Sequence, residues 1–166
     1  MDNERSSVKK FGQYVLLGQL FSVGLLILGF IFILEKQAAV LQATGGLFIL
    51  LGIVFVFTIN RRKQRLLWIY KTTSPISMEM KLEKREDSDS TSYFAYLTRE
   101  DENIYEGWKT GLYSPSFDTQ PFLENGNQVQ VFIDPKNNNP AVIKTRQGLL
   151  WVMAGSGAVQ NLQGTR

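Results

Sequence analysis

Acidic side chains are the main candidates for chemistry in this chain, because histidine and cysteine are both absent. Without them, Ser-His-Asp triads, thiolate nucleophiles and the usual zinc sites are excluded. Catalysis would have to rest on carboxylates, Lys, Tyr or a metal ion held by oxygen ligands. The chain also lacks the Gly-x-x-x-x-Gly-Lys-Ser/Thr loop that indicates nucleotide binding.

Asp134 and two acidic clusters have both a chemical and a structural interpretation. Asp134 precedes Pro135 and could form part of a metal or catalytic site. Asp also begins turns well, since its side chain accepts a hydrogen bond from the backbone two residues on. The clusters at 86–89 and 100–102 could hold a hard cation, yet the first lacks the glycine and the spaced glutamate of an EF-hand loop. We interpret all three as turns, and predict no catalytic residue, no metal site and no cofactor.

Two apolar stretches dominate the N-terminal part of the chain. Residues 11–34 and 37–60 carry no charge, and only two residues separate them. Each stretch can cross a hydrocarbon core of roughly 30 Å, which takes about 20 helical residues. We predict a hairpin of two transmembrane helices, at 14–34 and from 40 or 44 to 59. A cleaved signal peptide is the alternative for the first stretch, but the run exceeds the about 7–15 apolar residues of a signal peptide and a second stretch follows at once.

The distribution of Lys and Arg predicts the orientation of this hairpin. The N-terminal segment carries three basic residues, the connecting loop carries only Lys36, and five basic residues with no acid follow the second stretch. Because Lys and Arg favour the cytoplasmic side, we predict that both termini are cytoplasmic, in a bacterial-type inner membrane or alternatively a thylakoid membrane. The segment after the second stretch could also contact anionic lipid headgroups. Its candidate residues are Arg61, Arg62, Lys63, Arg65 and Trp68.

Small residues recur in both stretches and allow two helices to approach closely. They either pack the two helices of the hairpin together, the interpretation we favour, or form a docking face for another membrane subunit. No charged side chain lies inside either stretch, which argues against a proton relay or an ion pathway. The candidate packing or docking residues are Gly18, Gln19, Ser22, Gly24, Gly29, Gly45, Gly46 and Gly52.

After residue 75 the hydrophobic pattern changes to the period of two that is typical of strands. Met78, Met80 and Leu82 alternate with polar residues, and Gly107 and Gly111 are candidate bulges. Short strands at this spacing indicate a small antiparallel all-β barrel or sandwich. Further strands are predicted at 93–97, 104–113, 128–133, 141–145 and 148–153, separated by polar turns at 86–90, 99–103 and 134–140 and by a loop at 114–127.

Five aromatic residues lie in or near that loop and in the last strand. Large aromatic side chains either fill the core of a small domain, which we favour, or form an exposed patch for a protein partner. The five are Trp108, Tyr113, Phe117, Phe122 and Trp151.

Residues 126–137 read Gly-Asn-Gln-Val-Gln-Val-Phe-Ile-Asp-Pro-Lys-Asn. This segment resembles the signature of a group of uncharacterised bacterial membrane proteins, in which a glycine and an alternating Val-rich strand precede Asp-Pro and Asn-Pro. Here Asn138 and Asn139 precede Pro140, so the final turn is longer. The resemblance implies a hairpin or similar anchor with a small β domain, and no activity. The layout is also similar to proteins of the NfeD type, although their glycine and valine spacing is not evident.

These patterns together predict a membrane α-helical hairpin followed by a small antiparallel all-β barrel or sandwich domain. The expected function is that of a non-enzymatic membrane-anchored binding module, an accessory subunit or assembly factor of a larger membrane protein complex. A membrane-surface sensor or anionic-lipid-binding protein is the alternative. We expect membrane lipids and other membrane subunits as partners, and neither nucleic acid nor a small-molecule substrate is indicated. The predicted boundaries are a cytoplasmic tail at 1–10, the hairpin at 11–60, a basic juxtamembrane segment at 61–74, the β domain at 75–154 and a flexible tail at 155–166.

Overall fold

The computed structural model describes residues 2–34, 39–101, 104–123 and 126–153. The chain divides into two compact units, which we call the hairpin unit (Gly12–Arg65) and the β unit (Met1–Phe11 together with Leu66–Arg166). Two helices contribute residues to both units: α1 (Asp2–Leu34) and α2 (Ala39–Thr72). Both helices are long and apolar enough to cross a membrane, by length and composition.

Both helices extend beyond the predicted spans. The segment predicted as a cytoplasmic tail is helical from Asp2 onward and forms the start of α1. Residues 2–10 carry no continuous apolar stripe, and a short polar helix is marginal by itself. Packing of Ser7 and Phe11, which are 2% and 3% exposed, supplies the missing stabilisation. At the other end, α2 continues through the basic segment to Thr72.

The β unit contains one six-stranded antiparallel sheet that curls into a half-barrel, and not a sandwich. The strands are ordered β3-β2-β1-β4-β5-β6. Leu112 forms a bridge with Val152, and the Tyr113 N–H donates to the Trp151 carbonyl at 2.9 Å. These contacts bring the end of β3, the first strand in the order, against the end of β6, the last. The strands are β1 (Ile76–Asp87), β2 (Ser90–Asp101), β3 (Ile104–Leu112), β4 (Asn127–Asp134), β5 (Asn139–Lys144) and β6 (Leu149–Trp151).

The inner face of the sheet holds the hydrophobic core. Met78, Met80 and Leu82 of β1 are all at most 2% exposed, which confirms the alternation predicted for this strand. A short 3-10 helix (Gln120–Phe122) in the loop before β4 contributes Phe122 to the same core. The other buried members are Ala95, Leu97, Trp108, Leu112, Val129, Val131, Ile143, Leu150 and Val152.

Several local predictions need correction. Gly107 and Gly111 pair in unbroken register with Thr98 and Phe94, so neither forms a bulge. The Phe94 ring covers Gly111, because a Cβ there would lie 4.0 Å from its Cε1. The register shift lies between β4 and β5 instead: Phe132 pairs with Val142 and Ile133 with Pro140, so the extra residue is Ala141 of β5. The turn predicted at 86–90 contains only two residues, because β1 and β2 pair as far as Asp87 and Ser90. The tail predicted at 155–166 lies outside the described residues.

Candidate functional site

The start of α1 is built into the β unit through Ser7. The Ser7 hydroxyl donates to the Asn3 carbonyl (3.0 Å), accepts the Leu149 N–H (3.1 Å) and lies 2.9 Å from the hydroxyl of Ser116. The Ser7 carbonyl accepts the indole N–H of Trp151 at 3.3 Å. A hydroxyl has one donor and two acceptor positions, so this side chain is fully satisfied in a place where water has little access.

Gly148 makes this close approach possible. Its φ is +151°, a conformation that L side chains rarely adopt, and a Cβ there would lie 2.6 Å from the Ser7 Oγ. The Thr145 hydroxyl accepts the Gly148 N–H at 3.1 Å and donates to the Gly148 carbonyl at 3.0 Å, which fixes the turn between β5 and β6. The turn therefore presents the Leu149 N–H to the helix in one defined position.

Aromatic rings extend the contact between α1 and the sheet. Phe11 stacks on Trp151 with ring centroids 4.5 Å apart and an interplanar angle of 12°, and it meets Tyr113 edge-on at 5.4 Å. Tyr70 of α2 packs edge-on against Phe132 at 5.1 Å and against Trp151 at 6.3 Å. Such pairs contribute beyond their buried area, so both helix ends belong to the packed structure of the β unit.

A charged triad lies beside these rings. The Lys144 ammonium is 2.9 Å from Oε1 of Glu4, and the Tyr70 hydroxyl donates to Oε2 of Glu4 at 3.0 Å. These two hydrogen bonds lower the pKa of Glu4, and the bond to Glu4 raises the pKa of Lys144. Burial, followed by the bond to Glu4, raises the pKa of Tyr70. The triad is therefore a carboxylate, an ammonium and a neutral phenol at neutral pH.

The five aromatic residues for which an exposed patch was the alternative interpretation do not form an exposed surface. Trp108 and Phe122 are 8% and 5% exposed and belong to the core, while Trp151 is 3% exposed beneath Phe11. Phe117 and Tyr113 are half-buried, and the Phe117 ring meets Phe122 at 6.0 Å. The core interpretation, which the sequence favoured, describes their positions.

Four of the predicted packing glycines lie where the two helices of the hairpin unit meet. A Cβ at Gly29 would lie 2.6 Å from the carbonyl oxygen of Gly45, and one at Gly45 would lie 2.6 Å from that of Gly29. Cβ atoms at Gly18 and Gly52 would lie 2.7 Å from Ile59 and 2.8 Å from Leu26. Backbones this close leave no room for a side chain, so these glycines pack the helices on each other.

Polar groups of the hairpin unit also pair within it. Ser22 is fully buried, and its hydroxyl donates to the Gly18 carbonyl at 2.8 Å. The Gln19 amide donates to the Asn60 side-chain oxygen at 2.7 Å. By contrast, a Cβ at Gly24 or Gly46 would meet nothing within 4 Å. These two glycines lie on the outer surface of the unit.

The basic segment is helical as far as Thr72, where α2 ends. Arg61 lies over the Phe57 ring at 6.0 Å. Trp68 is 53% exposed, whereas Leu66 and Ile69 are buried in the β unit. The predicted headgroup residues thus lie on consecutive turns of one helix. They are Arg61, Arg62, Lys63, Arg65 and Trp68.

The acidic clusters take structural roles where the structure describes them. Asp134 accepts the Lys136 N–H at 3.0 Å, which confirms the turn interpretation. Glu86 pairs with Lys84, and Asp87 accepts the Ser88 N–H at 2.9 Å. Among the described residues, no group of three Asp or Glu could hold a metal ion. Glu102 of the cluster at 100–102 lies outside the described residues.

A different carboxylate, Glu83, is the most strongly perturbed in the described part of the chain. Hydrogen bonds from Arg85 (2.7 Å) and from the Tyr96 hydroxyl (2.5 Å) lower the pKa of Glu83 to about 2. Arg85 and Lys109 also lie over the Phe94 ring, at 4.9 and 5.3 Å. This cluster ties the outer faces of β1, β2 and β3 together, and its groups are mutually paired.

Comparisons with known proteins add nothing to this description. No family model matches the chain, and no curated protein or solved structure matches it either.

The contacts that join α1 to the sheet were not foreseen from the sequence. Ser7, Glu4, Tyr70 and Lys144 are ordinary polar residues in the printed sequence, and up to 144 positions separate the bonded groups. One signal was present: the apolar run of residues 148–153 on consecutive positions, which predicts burial on both sides. The start of α1 covers one of those sides.

Replacing Ser7 with Ala should destabilise the β unit by about 1–3 kcal/mol, because the buried Leu149 N–H loses its acceptor. Urea unfolding of the full chain in detergent, followed by tryptophan fluorescence, measures the change. Ser6→Ala is the matched control, since Ser6 is exposed, and it should change stability by less than about 0.5 kcal/mol. Equal effects of the two variants would show that Ser7 has no special structural role.

Replacing Gly45 with Ala should destabilise the helix pair by about 1–3 kcal/mol, because the new methyl overlaps the Gly29 carbonyl. Gly46→Ala, one residue on, should be neutral or slightly stabilising, since its methyl meets open space and Ala favours helix. Unfolding in increasing dodecyl sulfate, followed by circular dichroism, compares the two. If Gly46→Ala is the more damaging variant, the assignment of inner and outer glycines is wrong.

Proposed function

We propose that the chain is an integral membrane protein whose two helices cross a bacterial-type inner membrane and hold the β domain at its surface. Support comes from the hairpin unit, whose outer surface is apolar. Leu17, Phe21, Phe30 and Phe57 are each at least 57% exposed. A contiguous apolar surface of this kind is costly in water and is expected against lipid or another membrane protein.

The positions of the basic residues support one orientation. Arg5, Lys9 and Lys10 lie on the start of α1, and the basic segment lies on the end of α2. Both of these helix ends contribute to the β unit. The connection between the helices carries a single basic residue, Lys36. Since Lys and Arg favour the cytoplasmic side, the proposal places the β domain and both termini in the cytoplasm.

Single cysteines test this orientation in a chain that has none of its own. Ser88→Cys lies in the exposed turn between β1 and β2, and Val40→Cys lies near the start of α2 at a position that is 74% exposed. A membrane-impermeant maleimide should label Val40→Cys in intact cells, and Ser88→Cys only after permeabilisation. Labelling of Ser88→Cys in intact cells contradicts the cytoplasmic assignment.

Within the membrane, we propose that the protein acts as a non-enzymatic binding module, an accessory subunit or assembly factor of a larger membrane protein complex. The observation that carries this proposal is that both helices contribute their ends to the β unit while their middle sections expose apolar side chains. The hairpin then serves to position the β domain. Gly24 and Gly46 leave open space on the outer surface, where the backbone of a partner helix can approach.

A membrane-surface sensor or anionic-lipid-binding protein is the second candidate. It is favoured by Trp68, which is 53% exposed on the same helix as the basic segment. Trp is enriched at membrane interfaces, and each basic residue near an anionic surface contributes about 1 kcal/mol. This role requires headgroup contact at Trp68 and no protein partner on the hairpin.

Site-specific photocrosslinking separates the two candidates. The residue p-benzoylphenylalanine replaces either Phe30, which is 57% exposed on the hairpin, or Trp68. In native membranes, a complex subunit should give one discrete protein adduct from position 30, which mass spectrometry identifies. The same residue at Phe48, half-buried against Phe32 at 5.9 Å, is the control and should crosslink within the chain. Lipid adducts from position 68, with no protein adduct from position 30, support the lipid role and contradict the complex.

A further inference from the structure

A groove lies on the β unit, on the outer side of β1, β4 and β5. Its volume is about 340 Å³, within the range of small-ligand sites. Ser77 pairs with Gln130, and Gln130 pairs with Lys144, so the three residues form one row across three strands. The lining residues are Ser77, Gln128, Val129, Gln130, Lys144, Thr145 and Arg146.

The side chains in this groove are rich in hydrogen-bond donors and positive charge. Two hydroxyls, two primary amides, an ammonium and a guanidinium line it, and no carboxylate of the described residues does. The Ser77 hydroxyl donates to the Gln128 amide oxygen at 3.1 Å, which leaves the amide N–H groups of Gln128 as donors. Two cations combined with neutral donors favour an anion that accepts several hydrogen bonds, as a phosphate group does.

The fixed turn between β5 and β6 holds Arg146 beside Lys144. The Thr145 N–H donates to the Gly148 carbonyl at 2.9 Å, and the Thr145 hydroxyl accepts the N–H groups of residues 147 and 148 at 3.1 Å. Arg146 itself is exposed, and its guanidinium makes no ion pair with any described residue. The turn thus places in the lining of the groove a guanidinium that has no ion-pair partner among the described residues.

Two carboxylates lie near the groove, and both have other contacts. Glu4 binds Lys144 and also accepts the Tyr70 hydroxyl. An ammonium has three N–H donors, so Lys144 can bind Glu4 and a second anion together. Glu79 pairs with Gln128 across β1 and β4, and its carboxylate lies against Gly126.

We propose that this groove binds a phosphate group between Lys144 and Arg146, with Ser77, Gln128 and Gln130 as neutral donors. The group is carried either by free phosphate or by an anionic lipid headgroup. The inference concerns the β unit alone and does not depend on the proposed membrane complex.

Titration of the full chain in dodecyl maltoside, a detergent without phosphate, tests the proposal. Inorganic phosphate is added in one arm and phosphatidylglycerol in the other, at constant ionic strength. Amide NMR signals of residues 128–130 and 144–146 should shift with saturation. Saturation in the first arm identifies free phosphate as the source, and saturation in the second arm alone identifies a lipid headgroup. If those signals move in neither arm, the proposal is overturned.

Charge variants separate a defined site from general attraction. Arg146→Gln should weaken binding about fivefold, the effect of about 1 kcal/mol for one basic residue. Lys136→Gln removes the same charge from an exposed turn outside the groove and should leave the affinity unchanged. Equal weakening by both variants would mean that only net charge matters, which overturns the groove assignment.

Glu4→Gln gives a test in the opposite direction. Removing the carboxylate frees Lys144 for the phosphate group and should tighten binding about two- to fivefold, the range of an exposed ion pair. Glu83→Gln is the control, because Glu83 pairs with Arg85 away from the groove. If both variants tighten binding equally, Lys144 is not the shared ligand and the proposal fails.

Discussion

The β unit depends on one constraint: the N–H of Leu149, at the start of β6, must find an acceptor in a place without water. Leu149 is 1% exposed, and an unsatisfied buried N–H costs about 1–3 kcal/mol. The acceptor comes from Ser7, which lies 142 positions away on α1. Because β6 has only three residues, the sheet gains little from its pairing with β5 alone. The start of the chain therefore completes the end of the fold.

Glycines allow close approach to the backbone in both units. At Gly148 the absence of a side chain lets a serine hydroxyl reach the backbone. At Gly29 and Gly45 it lets the carbonyl oxygen of each glycine occupy the space that a side chain on the other would need. At the proposed position in lipid there is no hydrophobic force between helices, so contact distance matters more than apolar area. Inward glycines thus determine which faces of the helices meet, and the outer faces remain apolar.

Local patterns in the sequence predict local features well. The charge-free stretches predicted two long helices, the alternation at Met78, Met80 and Leu82 predicted β1, and Asp134 predicted a turn, all of which the structure contains. The helical start of α1 was missed because its stabilisation is tertiary: Phe11 and Ser7 acquire partners only when β6 is in place. The glycines of β3 were misread as bulges because a glycine in a strand has two meanings, and the covering ring of Phe94 lies on the neighbouring strand.

The triad of Glu4, Tyr70 and Lys144 connects this architecture to binding. Lys144 belongs at once to the groove and to the contact between the sheet and the start of α1. At the proposed site, an anion competes in part with the Glu4 carboxylate for the same ammonium. Thermodynamic linkage is reciprocal, so the factor by which the Glu4–Lys144 pair weakens anion binding equals the factor by which a bound anion weakens that pair. Since Glu4 lies at the start of α1, the proposal couples the charge state of the groove to the packing of that helix start on the sheet, and Lys144 is the side chain that the two share.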